Sequence, residues 1–223
     1  VHRIAWDMTG NSTWPISENA KDNNDQNSGW YVAPGIYSAQ MYEVAAGEVT
    51  SLGDAVEVRL KPLYKSTLPE KSQVEKDAYQ EAYMAAQVRR RILGKQYSSA
   101  VSKTKAMLIA ANRTHGPFTV ELKQLLAIQN SLRVLNEELY GNSAKNAVGE
   151  KTHPTLGDRL SAAGSPLWGS SYGPTATAKD GLAIAITLMT DYEQRLSRTE
   201  KQLETIYTAL RKAGSPVIME MED

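Results

Sequence analysis

Five large apolar residues, Leu182, Met189, Leu196, Leu203 and Leu210, recur at intervals of seven near the C-terminal end of the chain. A second ladder, Ala185, Tyr192, Thr199, Ile206 and Ala213, follows each of them by three positions. Spacings that alternate between three and four return to the same helix face. The two ladders therefore form one stripe, the a and d seam of a helix about ten turns long. No Asp, Glu, His, Lys or Arg interrupts it. Such a face is built to pack along other helices, so the strongest periodic signal in the chain is structural.

Suitable partners precede it. Ser72-Gln73-Val74-Glu75 is a capping-box pattern, in which Ser accepts a backbone N–H and Glu reaches back. The helix it opens is expected to run to about Asn112. Its ladder is Tyr79, Ala86, Leu93, Ala100 and Met107, with Tyr83, Tyr97, Thr104 and Ala111 alongside. Arg90 breaks the second stripe, and Gly94 weakens the middle by about 1 kcal/mol relative to Ala, a place for a kink. After Gly116-Pro117, a helix over about Val120–Leu139 is expected to bury Leu122, Leu125, Leu126, Gln129, Leu132 and Leu135, ending at Gly141-Asn142. A short helix around Leu156–Ala163 and an irregular stretch, Gly164–Gly173, come next. The long helix then starts near Thr177 and stops at Gly214, with Pro216 behind. Two helices of about 40 residues and one of about 20 predict an antiparallel bundle.

The first third has a period of two. Val1–Met8, Gly35–Val44, Val49–Leu52 and Ala55–Leu60 read as strands, the last alternating Val56, Val58, Leu60 against Glu57, Arg59, Lys61. Four short strands suggest half or more of a small antiparallel sandwich, too few to cover both faces, so further strands or a docking partner are expected. The polar tract Glu18–Gly29 between the first two reads as a surface loop.

Composition excludes more than it assigns. The 25 basic and 25 acidic side chains cancel, so net charge favours neither nucleic acid, an anionic membrane nor a polyanionic substrate. Cysteine is absent, which rules out a disulfide scaffold, a thiolate zinc site and a Cys nucleophile without fixing the compartment. No apolar run approaches the roughly 20 residues of a membrane span. The chain opens at Val1 inside a strand-like run, without an initiator Met or a signal-peptide pattern, and reads as a piece of a longer polypeptide.

Candidate chemistry is sparse. Gly169-Ser170-Ser171-Tyr172-Gly173 matches the G-x-S-x-G nucleophile elbow, which needs a strand before the Ser and a helix directly after it. A short helix is expected upstream and Pro174 interrupts the downstream side, so a Gly/Ser loop is the better reading. Asp22, Asn24, Asp25 and Asn27 form an oxygen-rich loop of the kind that takes calcium, but it lacks the glycine and bidentate Glu of an EF-hand. His2, His115 and His153 have no ligand partner at helical spacing. No metal site or cofactor is expected. Arg89-Arg90-Arg91, flanked by Glu75, Asp77 and Glu81, fits a solvated face, or Arg90 paired between helices. Trp6 belongs to a core by its alternation. Trp14, Trp30 and Tyr31, beside the Gly/Asn tract, are candidates for carbohydrate contact, packing against a neighbouring domain being the alternative.

Several fragments together resemble a known family. HRIAWDM (His2–Met8), a polar insertion and VAPGIYSAQMYEV (Val32–Val44) resemble the end of large bacterial proteins with sortilin-like BNR/Asp-box β-propellers, often labelled glycosyl hydrolases. In those proteins a strand ending in Trp-Asp, here Trp6-Asp7, precedes a Pro-Gly-x-Tyr strand, here Pro34–Tyr37, of an FlgD-like, immunoglobulin-type module. LGDRLSAAG (Leu156–Gly164), GPTAT (Gly173–Thr177) and LRKAGSPV (Leu210–Val217) resemble the helical tail that follows. The chain departs from the pattern at Lys61-Pro62-Leu63, where Asp-Pro-Arg often closes the β module, and in the insert Glu18–Gly29.

The resemblance implies an upstream propeller domain as partner, and a secreted, periplasmic or cell-surface parent from a Gram-negative bacterium. No Asp-box (S-x-D-x-G-x-x-W) occurs in the chain, so propeller chemistry lies outside it. The expected fold class is α+β, with a partial antiparallel Ig-like β-sandwich over residues 1–64 and an antiparallel helical bundle with long helices over 65–223. The expected role is a non-catalytic accessory region that braces the propeller or binds another protein or a glycan. One alternative is a substrate-contacting part of a glycoside hydrolase, for which Asp7, Glu18, Asp22 and Asp25 are the acids near aromatics. The other is a helical dimerisation module.

Overall fold

The computed structural model describes residues 3, 5–11, 28–63, 69–114, 116–169 and 172–221. The fold is α+β, with antiparallel strand pairs followed by helices. Two compact units divide the chain, Val1–Ala78 with Ser171–Gly173 and Tyr79–Ser170 with Pro174–Asp223. The boundary falls past residue 64, within the first helix.

In the first unit, β1 (Thr9–Asn11) pairs antiparallel with β2 (Ser28–Tyr31). β1 starts later than the alternation suggests, because Asp7 Oδ1 accepts from Thr9 N at 3.0 Å and Thr9 Oγ1 at 2.6 Å. This side-chain turn, with Met8 at φ 62°, diverts the backbone before pairing begins. Trp6 is not a core residue. It is 43% exposed, its Nε1 donates to Thr9 O at 2.8 Å, and its ring packs edge-on against Tyr37 at 5.4 Å.

The remaining strands nest. β3 (Gly35–Ala39) pairs with β6 (Val56–Leu60), and between them β4 (Tyr42–Ala45) pairs with β5 (Glu48–Ser51). The result is one antiparallel ribbon folded at Ala46-Gly47, both at positive φ, the mirror-image turn that matches strand twist. Gln40-Met41 on one side faces the longer Leu52–Ala55 on the other, so the ladder breaks there. Leu52 N still donates to Met41 O at 2.9 Å, and Gln40 Nε2 holds Ser51 Oγ and Gly53 O at 2.6 and 2.9 Å. Register puts Tyr37 opposite Val58 and Val44 opposite Val49. Most of the ribbon's large apolar side chains are exposed, Ile36, Tyr42, Val44, Val49 and Val56 among them.

The helices are α1 (Gln73–Arg113), α2 (Thr119–Tyr140), α3 (Ser143–Ala147), α4 (Leu156–Gly169) and α5 (Ala176–Lys212). Ser72 Oγ accepts from Glu75 N at 3.2 Å, the first half of the anticipated capping box. Thr175 does the same for α5 through Ala178 N. α5 ends with Gly214 at φ 79°, where Ser215 N donates to Leu210 O and Gly214 N to Arg211 O, a left-handed C-terminal cap.

Every residue of the seam Ala178, Leu182, Ala185, Met189, Tyr192, Leu196, Thr199, Leu203, Ile206, Leu210 is buried. Ala213 is exposed because the helix is already capping there. In α1, Tyr79, Tyr83, Ala86, Leu93, Ala100, Thr104, Met107 and Ala111 are buried. Thr104 and Thr199 tolerate burial by donating to the carbonyls of Ala100 and Arg195, one turn back. Each fully buried Leu or Met contributes roughly 1.5–3 kcal/mol.

α2 corrects its expected face. Leu125, Ile128, Leu132, Leu135 and Leu139 are buried, whereas Leu126 and Gln129 are exposed. Its buried stripe is the narrow heptad seam that a helix neighbour reads, not a broad amphipathic face. α4 also exceeds expectation, continuing through Pro166 to Gly169.

Pairwise contacts set the helix directions. Tyr79 Oη lies 2.8 Å from Ala163 O and 3.0 Å from Ala178 O, and Arg89 meets Glu193, so α1 and α5 run the same way. Glu138 meets Arg195, while Ile128 and Ile206 line one groove, so α2 runs against α5. Gly157 lies against Arg90 and Gly164 against Tyr83, so α4 runs against α1. Gly94 is a close-approach site, since a Cβ there would lie 3.0 Å from Tyr140 Oη. Among the described residues no helix is long and apolar enough to cross a membrane.

Candidate functional site

The path from α2 to α4 is interrupted, and the interruption opens a cleft lined by charged side chains. Gly141 at φ 85° ends α2, and Asn142 starts α3 by accepting from Ala144 N and Lys145 N, both at 3.1 Å. Gly149 at φ 72° ends that short helix. Thr155 and Asp158 then cap α4 reciprocally. Thr155 N and Oγ1 donate to Asp158 Oδ2 at 2.8 Å, and Asp158 N donates to Thr155 Oγ1 at 3.1 Å. The missing stretch of rod leaves a cleft of about 600 Å³ between the end of α2, the start of α4 and the middle of α5.

Its acids are already engaged. Arg195 makes a two-pronged pair with Glu138, Nη1 to Oε1 at 2.8 Å and Nη2 to Oε2 closer still. Arg195 Nε lies 2.8 Å from Asp191 Oδ2, an ion contact outside hydrogen-bond alignment. Glu137 pairs with Arg133 at 3.0 Å, and Lys145 with Glu150 at 3.3 Å. Lys151, His153 and Arg159 also line the cleft. Among the described residues none of these three has an anionic partner, and Arg159 Nε is buried without an acceptor.

A second cleft of about 460 Å³ lies along the other side of the same turn, lined by Tyr83, Gln87, Arg90 and Asp158. Arg90, the charge that interrupts the α1 stripe, fits because Gly157 has no side chain; a Cβ there would lie 3.0 Å from its Nη2. Arg90 Nε is likewise buried without an acceptor. The Asp158 carboxyl is held below the usual range by its hydrogen bonds from Thr155 and, to a lesser degree, by the Arg90 charge.

Deeper in the same unit, Tyr97 Oη meets Asn136 Oδ1 at 3.2 Å, and its ring stands edge-on to Tyr140 at 6.1 Å. Tyr192 Oη is buried with no hydrogen-bond partner, and burial pushes its phenol well above the ordinary range.

The residues expected to contact carbohydrate are not assembled by what is described. Trp14 lies outside the described residues. Trp30 has its backbone in β2, with a side chain that is not described, and Tyr31 is 75% exposed at the end of that strand. The oxygen-rich loop Asp22–Asn27, His2, His115 and the serines Ser170 and Ser171 also lie outside the described residues. The helix running into Gly169 is the wrong context for a nucleophile elbow. Of the arginine triplet, Arg89 pairs with Glu193 through two 2.5 Å contacts, and Arg90 takes its place beside α4. No group of three His, Asp or Glu among the described residues is arranged to hold a metal ion. Periodicity could not reveal Lys151 and Arg159, since their only sequence signal is the Gly/Pro-punctuated break around them. Comparison with protein-family models, with curated proteins and with solved structures finds no match to this chain.

Proposed function

We propose that the chain is a non-catalytic accessory region of a secreted or cell-surface β-propeller protein. In this reading an Ig-like β module and a closed helical bundle brace the upstream propeller or dock a partner. The observation that carries it is the uncovered apolar surface of the ribbon. Val44 and Val49, paired across the hairpin, are 71% and 66% exposed, and Val56 is 63% exposed. A two-stranded ribbon is marginal in water until another layer covers its apolar face. Such a surface suits a layer supplied from elsewhere in the parent polypeptide. The seam from Ala178 to Leu210 is covered within one chain, which argues for an intramolecular brace over a dimerisation zipper.

The test is to mix the chain with the separately produced upstream region and follow association by calorimetry. Binding is expected, and Val44→Asp with Val49→Asp is expected to abolish it while the melting of the helices is unchanged. No association, together with unaltered melting when the two are fused, contradicts the reading. Selective binding on a glycan array instead favours a substrate-contacting role.

A further inference from the structure

We infer that the cleft between α2, α4 and α5 binds a small organic oxyanion, a di- or tricarboxylate or a phosphate compound, held by Arg159, Lys151 and His153. The inference is independent of the accessory role. Three observations meet at this place. The cleft, at about 600 Å³, has the size of small-molecule sites. Each of its carboxylates has an arginine partner, Glu137 pairing with Arg133 while Glu138 and Asp191 share Arg195, so none of them pairs with Arg159 or Lys151. The cations left over include the Arg159 guanidinium, whose Nε is buried against the protein and whose terminal Nη groups have no hydrogen-bond or ion-pair partner among the described residues.

A guanidinium in that state lacks the planar, two-oxygen partner that its donor geometry matches best. Carboxylate and phosphate both provide it, and both meet the point charge of Lys151. Leu156 and Leu188 also line the cleft, giving a carbon skeleton an apolar floor beside the cationic rim. The helix N-terminus at Leu156 is not the attracting feature, because Thr155 and Asp158 already satisfy it.

The probes are citrate and inorganic phosphate, each titrated against the full chain with sodium chloride added to constant ionic strength. A saturable rise in Tm and a one-site calorimetric isotherm are expected for at least one of them. Which of the two binds more tightly distinguishes a carboxylate from a phosphate ligand. Arg159→Gln and, separately, Lys151→Gln are expected to weaken binding about tenfold or more, and Lys123→Gln, exposed on α2 outside the cleft, to leave it unchanged. In case Arg159→Gln does not fold, the Nε–H resonances of the unaltered chain are followed. That of Arg159 is expected to shift on titration and that of Arg89, paired with Glu193, to stay. No stabilisation beyond the sodium chloride control, equal binding by both cleft variants, or binding of a glutamate peptide but of neither small anion overturns the proposal.

Discussion

In the helical unit Leu93, Met107, Met189 and Leu210 are each no more than 1% exposed, whereas in the strand unit Val44 and Val49 stand 71% and 66% exposed. Both regions have regular apolar patterning, a period of seven in one and of two in the other. The difference lies in what each can cover by itself. A long helix folded against neighbours from its own chain offers three or four facing residues per two turns. A two-stranded ribbon has nothing in its own strands to lay over its apolar side chains. Periodic sequence therefore promises an apolar face. Whether that face is a core or a surface depends on the number of layers available.

The sharpest way to break this contrast is to shorten a side chain in each region. Leu203→Ala, at a seam position only 1% exposed, is expected to cost about 2–5 kcal/mol through lost burial and the cavity left behind. Val44→Ala is expected to stay within about 0.5 kcal/mol in the isolated chain. Urea unfolding measures both, and equal costs would show that the ribbon is covered in solution.

A smaller effect tests how tightly the helices approach. Gly164 lies against the ring and hydroxyl of Tyr83, closer than any Cβ could be tolerated. Gly164→Ala is therefore expected to destabilise by about 1–3 kcal/mol through overpacking. Trimming the opposite side with Tyr83→Phe is expected to recover part of that loss, and a double-mutant cycle by thermal melting reads the coupling.

The smallest expected effect concerns the polar exception inside the seam. Tyr192→Phe removes a buried hydroxyl with no partner, so stability at neutral pH is expected to hold or rise by up to about 1 kcal/mol. Burial raises the phenol pKa of Tyr79, Tyr97 and Tyr192 above their unfolded value near 10. The folded chain then holds those protons more tightly than the unfolded one. Their contribution is complete below pH about 10 and is lost as pH rises toward the folded values. Alkaline titration by circular dichroism should show the helical unit unfolding above that point, later in Tyr192→Phe than in the unaltered chain. A Tyr192→Phe profile no different from the original would mean that the Tyr192 hydroxyl is reached by water in solution.

Much of the helical architecture was legible. The α5 seam, the start of α1 at Ser72 and the stop at Gly214 follow from local rules of capping and spacing, and the structure keeps them. Legibility failed where two faces of one helix compete. α2 has leucines at 122, 125, 126, 132, 135 and 139, and a broad stripe through Leu126 satisfies the helical period as well as the narrow one through Ile128. Only the neighbours chose. The stretch from Gly164 reads as irregular, yet α4 continues through Pro166, with Leu160 and Ala163 packed at 0% and 1% exposure. The cleft was illegible for a different reason. Lys151 and Arg159 are ordinary surface residues by any local criterion, and Glu138 and Arg195 stand far apart in the chain until α2 and α5 pack.

What the sequence determined by itself is the three long helices α1, α2 and α5, their approximate limits and the face by which α5 is buried, because hydrogen bonding and side-chain spacing along a helix are local. What only the tertiary structure decided is which carboxylates are neutralised and which cations are left over, the face of α2 that meets its neighbours, and the exposure of the ribbon. Those outcomes depend on distances between segments remote in the chain. Such distances exist only once the helices have packed.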